Sequence, residues 1–237
     1  MKKFFCILSL TAVLYLLCSC NDNTPSTNEH ETMKTNISKD HVSEFMELLG
    51  GEIELGGLSS GFVLDEEHCY NVTPQQVASE TDMKIFKFSD SCASFVMFNN
   101  EIYPLCEWFG GYGFVNAVPC DFDNDGNKDL LVASSWGSGM HRSIISVFNS
   151  ATKESIVLYD TSTTDTPGVD LFVSTATPAF SSKEIEDLPI YYRVYSAEIT
   201  VNDMEEYNLA DLSYVATDLM GSIEIENGTP VFKPYQK

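Results

Sequence analysis

Two strand-like runs, Val115–Val118 and Leu130–Ala133, flank a loop in which aspartates fall at alternate positions: Asp121-Phe122-Asp123-Asn124-Asp125-Gly126-Asn127-Lys128-Asp129. Carboxylates spaced in this way meet at one point only if the backbone curls back on itself. Gly126 allows the sharp turn that this needs. A hard cation that takes six to eight oxygens suits such a set, so the loop is read as a calcium site. The expected ligands are the side chains of Asp121, Asp123, Asp125 and Asp129, with the backbone carbonyl of Asn127. Closing the loop brings the two flanking runs side by side, so residues 121–129 commit this part of the chain to an antiparallel hairpin.

An EF-hand loop begins the same way but ends in Glu at its twelfth position. Here that position is Val132, inside an apolar run. The pattern from Gly113 to Asn149 resembles instead the calcium loops of FG-GAP and VCBS repeats, in which the loop joins two strands of one propeller blade. That resemblance implies a structural Ca2+ ion and a blade-like hairpin, present here in one copy. Lacking the twelfth-position Glu, the site is expected to bind calcium weakly, with Kd on the order of 10⁻⁴ to 10⁻³ M.

The surrounding sequence points the same way. Aromatic and β-branched residues are plentiful, which favours strands. Met83–Phe88 roughly alternates, and Ser94–Phe98 and Glu101–Leu105 flank Asn99-Asn100, a hairpin signal. Further strands are expected at Ser143–Phe148, Ser155–Tyr159, Val169–Ser174, Ile190–Val201, Ser222–Glu226 and Pro230–Lys233. Asp40–Leu49, followed by Gly50-Gly51, reads as a short amphipathic helix. Thr73-Pro74-Gln75-Gln76 reads as a cap and first turn of another, and Asp203–Leu212 has a helical cast. The fold expected for residues 40–237 is a single mainly β domain, propeller-like or a β-sandwich, with one or two short helices.

The chain opens with Lys2 and Lys3 before an apolar run from Phe4 to Leu17, a signal-peptide pattern. Leu17-Cys18-Ser19-Cys20 resembles the lipobox of bacterial lipoproteins. The resemblance implies removal of residues 1–19, acylation of Cys20 and a membrane anchor in the cell envelope, periplasmic or surface-exposed. A plain secretory peptide cut nearby is the alternative. Residues 20–39 are polar and nearly free of apolar side chains, so they read as a flexible tether.

Removing residues 1–19 takes two lysines and no acid, leaving 11 Lys plus Arg against 35 Asp plus Glu, a charge near −24. Such a surface repels phosphate backbones and excludes nucleic acid as a partner. Cys69, Cys92, Cys106 and Cys120 remain, an even count that suggests two disulfides in an exported protein. A two-residue turn at Asn99-Asn100 would set Ala93 opposite Cys106 and turn Cys92 to the other face.

Ser134-Ser135-Trp136-Gly137-Ser138-Gly139-Met140-His141-Arg142-Ser143 follows the calcium loop by one strand. With Phe109–Gly113 it resembles a group of exported bacterial proteins that combine a calcium-type loop with a W-G-S-G-x-H-R-S segment. That resemblance brings no activity with it. Three readings fit these residues. In the first, Trp136 is a core residue and Arg142 bridges to a calcium-loop aspartate. In the second, Trp136, His141 and Arg142 bind a small ligand or glycan. In the third, His141 serves as a base for Ser138 or Ser143 in a hydrolase. The sequence has no H-E-x-x-H or P-loop pattern. A binding or interaction module for a glycan or protein is therefore favoured over an enzyme.

Overall fold

The computed structural model describes residues 32–54, 61–106, 110–123, 125–164, 168–175, 192–226 and 228–235. The signal peptide, Cys20 and residues 20–31 of the expected tether lie outside the described residues. The protein is mainly β, built as several antiparallel sheets with two short helices. No helix among the described residues is long and apolar enough to cross a membrane.

The first large sheet is a meander of β4 (Cys69–Asn71), β5 (Lys84–Phe88), β6 (Ser94–Phe98) and β7 (Glu101–Pro104). A second meander follows: β8 (Gly113–Cys120), β9 (Asp129–Trp136), β10 (Arg142–Phe148) and β11 (Ser155–Asp160). The third sheet runs β12 (Asp170–Ser174), β13 (Tyr192–Val201) and β14 (Leu212–Glu226). The other edge of β14 is shared by β1 (Thr32–Lys34) and β15 (Thr229–Pro234). A small pair, β2 (Ile53–Glu54) and β3 (Val63–Leu64), completes the strands among the described residues.

Helix α1 (Val42–Leu49) packs Val42, Phe45 and Met46 on the first sheet, where Phe45 stacks on Phe86 at 4.3 Å. The opposite face of that sheet shares a core with the second sheet, joining Ile85 and Val96 to Phe114, Ala117, Leu130 and Val132. The second sheet's other face meets the third, joining Val118, Leu131, Ala133 and Val147 to Leu171, Val173 and Val194. The second sheet is therefore the middle layer. Residues of β8 and β9 are buried almost throughout because neither face meets water. That is why their sequences read as apolar runs rather than as a strict alternation.

Several boundaries differ from the sequence reading. Thr32–Lys34, inside the stretch read as tether, is a strand because its backbone pairs with Ser213–Val215 and Met33 packs against the third sheet. The cap of α1 is His41, held left-handed at φ 62° with no side-chain cap bond, and not Asp40. Its end follows expectation. Gly50 is left-handed, and the Gly50 and Gly51 amides donate to Glu47 and Met46 carbonyls, a Schellman closure. Thr73 does not cap α2 (Gln75–Glu80); its hydroxyl donates to Asn71 Oδ1 and accepts the Ile85 amide. Asp203–Leu212 is not helical. Asp203 Oδ1 accepts the amides of Glu205 and Glu206 and folds that segment into turns.

The expected disulfides are absent: none joins Cys69, Cys92, Cys106 and Cys120. The layering explains why. Cys69 lies in the core under α1, Cys106 packs on the core between the first two sheets, and Cys120 is in the core between the second and third. Phe95 pairs with Pro104, so the Asn99-Asn100 register is the expected one and Ala93 stands opposite Cys106. Cys92 turns away, its thiol donating to the Gly110 carbonyl.

Candidate metal centre and the glycine-rich loop

The loop from Asp121 to Lys128 closes the β8–β9 hairpin, whose last pair is Cys120 with Asp129. Short aspartate side chains bend it by capturing amides two residues on. Asp123 Oδ1 accepts the Asp125 amide at 3.1 Å, and Asp125 Oδ1 accepts the Asn127 amide at 2.7 Å. Asp121 Oδ2 reaches across to the Gly126 amide at 3.2 Å. Gly126 sits at φ 88° with open space around it. Backbone conformation, not crowding, is what calls for glycine there.

The outcome is a convergence of Asp121, Asp123 and Asp125, each offering an oxygen within 4.8 Å of the others. Asp121 Oδ1 is buried and has no hydrogen-bond partner. Three carboxylates this close repel one another unless a cation lies between them. Asn127 serves Asp125 with both nitrogens, its side-chain amide donating to Oδ2 at 2.9 Å. Those bonds hold the Asp125 carboxyl below the usual carboxylate range.

Asp129 stands apart from this group. It is buried, with Oδ1 accepting the Ser150 amide at 2.7 Å and Oδ2 the Phe122 amide at 3.4 Å. Burial pushes its carboxyl up, against the pull of those two amides. Its evident task is to brace the loop on the β10–β11 turn. Asn149, in the same turn, donates to Asp123 Oδ2 at 3.0 Å. Neither Asn149 nor Ser150 stood out in the sequence, because the contact exists only once β9 and β10 are paired.

The glycine-rich segment lies at the other end of β9. Seven residues separate Asp129 from Trp136, roughly 23 Å along a strand. Arg142 therefore cannot bridge to a calcium-loop aspartate. It pairs with Trp136 across the hairpin instead, its guanidinium 5.0 Å from the indole centroid. Trp136 is partly buried, and its Nε1 has no hydrogen-bond partner.

The glycines here serve close packing of chain on chain. A Cβ at Gly110 would meet the Gly137 carbonyl oxygen at 2.5 Å, and one at Gly111 would meet Trp136 backbone at 2.6 Å. His141 sits edge-on to Tyr112 at 4.6 Å, with Nδ1 3.7 Å from Asp170 Oδ1. Asp170 is the partner that sequence reading missed. Burial raises its carboxyl, and His141 and Ser135 pull it back down. Ser143, opposite Ser135 on the paired strand, is fully buried. The structure thus splits the expected residues into a carboxylate cluster, a Trp136–Arg142 pair and a His141–Asp170 pair. No protein-family model, curated protein or solved structure matches the chain.

Proposed function

We propose that the protein is a lipid-anchored binding module of the bacterial cell envelope, held by Cys20 and stiffened by one structural calcium ion. The convergence of Asp121, Asp123 and Asp125 around the unpartnered Asp121 Oδ1 carries this reading. Calcium would offset the repulsion among the three carboxylates and fix the β8–β9 turn against Asn149. Its role is mechanical: it holds a loop of the middle sheet to the β10–β11 turn. The stacking of successive four-stranded meanders face to face supports a propeller-like arrangement over a plain two-sheet sandwich. The ligand is a glycan or a protein, and the acidic surface argues against nucleic acid.

Thermal unfolding of the full chain in calcium and in chelator tests the metal site. A rise in melting temperature with calcium that Asp125→Ala abolishes supports it. No shift at millimolar calcium would reduce the loop to an acidic turn. A hydrolase beside residues 134–143 is the second reading, favoured by the His141–Asp170 pair alone. An esterase activity lost in a folded His141→Ala variant would support it, and activity unchanged in that variant would remove it.

A further inference from the structure

A polar groove runs beside α1 and the first sheet. One part, about 640 Å³, lies between the start of α1, the end of β4 and the turn from α2 into β5. A second part, about 520 Å³, continues past Glu44 to the Asn99-Asn100 turn. Asp82 and Lys84 line both parts. Each volume falls in the roughly 300–1,000 Å³ range of small-molecule sites. Their shared wall suits a chain of units better than a single one.

The floor is fixed and the rim is free. Asn71 accepts the amide and hydroxyl of Thr73 and donates to the Asp40 carbonyl at 3.1 Å, holding the segment before α1 against β4. His41 is held by Glu44 at 2.9 Å and kept left-handed. That conformation is uncommon outside glycine and tends to mark functional walls. By contrast, the side chains of Asn36, Asp40, Asp82 and Lys84 have no hydrogen bond or ion pair among the described residues.

The chemistry of the rim selects the ligand. Asp40, Glu44 and Asp82 oppose an anion. In the shared wall Lys84 offsets the charge of Asp82, so the centre of the groove carries no net charge. Carboxylates, amides, hydroxyls and one ammonium together offer donors and acceptors in alternation, as the hydroxyls of a sugar do. Phe98 is a poor stacking platform, because the Lys153 ammonium lies 3.9 Å over one face of its ring and the side chain packs on the core between the first two sheets. We infer that this groove binds a neutral oligosaccharide edge-on through side-chain hydrogen bonds, with Asp82 and Lys84 at its centre. The inference rests on reading the chain as a binding module and is independent of the calcium site.

The test titrates the purified full chain with cellohexaose, maltohexaose and xylohexaose at millimolar concentration, read by calorimetry and ligand-detected NMR. At least one should bind, and Asp82→Ala and Lys84→Ala should each weaken it about tenfold, the loss of a hydrogen bond to a charged group. The calcium-dependent melting shift of both variants should stay intact. Absence of binding by all three sugars overturns the assignment. So does binding that neither substitution weakens, or preferential binding of an oligolysine peptide. Loss of the calcium response in Asp125→Ala with sugar binding retained would bear on the metal site alone.

Discussion

Asn116 on β8 and Val173 on β12 exchange two hydrogen bonds: the Asn116 amide nitrogen donates to the Val173 carbonyl at 2.7 Å, and the Val173 amide donates back at 3.0 Å. One side chain thus stands in for a strand and staples the edge of the middle sheet to the edge of the third. Asn116 is buried, beside the register shift that follows Phe114. Asn116→Ala leaves two backbone groups without partners in a dry core. It should cost about 2–4 kcal/mol, read as a fall in the urea midpoint. A loss within error would mean that water replaces the amide.

The two kinds of loop aspartate should separate by experiment. Asp125 is exposed and belongs to the converging set, so Asp125→Ala should change little in chelator and abolish the calcium response. Wild-type protein should gain about 2.7 kcal/mol at calcium 100-fold above Kd. Asp129 braces Phe122 and Ser150, so Asp129→Ala should lower stability equally with and without calcium. Equal behaviour of the two variants would contradict this division of labour.

Lys87 is a buried amine whose Nζ donates to the Phe114 carbonyl at 2.8 Å. Burial pushes it down to about 7 from 10.5. The unfolded chain then holds more protons than the folded one between those values, so stability rises with pH above about 7. Buried thiols act in the opposite sense. Cys69 is pushed up to about 12 and Cys92 to about 11, from 9.0. Above pH 9 the unfolded thiols lose protons that the folded ones keep, and stability should turn down. Chemical unfolding followed against pH should show a maximum near pH 9, and Lys87→Met should remove the rising limb. A flat profile in the wild type would show that the amine is solvated.

The same burial makes a prediction for thiol chemistry. Cys69, Cys92 and Cys120 are buried and held protonated, so iodoacetamide at neutral pH should leave them unmodified in the folded chain and label them on unfolding. Mass spectrometry of peptides reads this directly. Rapid labelling of Cys120 in the native protein would be incompatible with its place between two sheets.

Local chemistry was legible in the sequence and long-range pairing was not. Asn99-Asn100 announced its hairpin because both residues tolerate the left-handed region, and both adopt it, at φ 54° and 59°. The aspartate loop announced its curl for a similar reason. The first half of β14 stayed hidden because Ser213, Thr217 and Asp218 interrupt its apolar pattern, and part of its edge is covered by Thr32–Lys34 from far along the chain. Asp203–Leu212 misled because its acids and apolar residues mimic an amphipathic spacing, while Asp203 captures amides locally. Asp170 and Asn149 are ordinary loop or strand-end residues until pairing sets them beside His141 and Asp123.

Because both faces of β8 and β9 are covered, this hairpin has no open face from which to loosen, unlike the exposed edge strand β11 of the same sheet. Outer elements such as α1 can open alone, since each has one side in water. The amides of Leu130 to Ala133 can reach solvent only when both neighbouring layers separate, so their hydrogen exchange should proceed through whole-molecule unfolding. The slowest protons in the protein would then lie on the strand that leads directly out of the aspartate loop, and a metal bound in that loop would act on the lifetime of the native state rather than on a local flap.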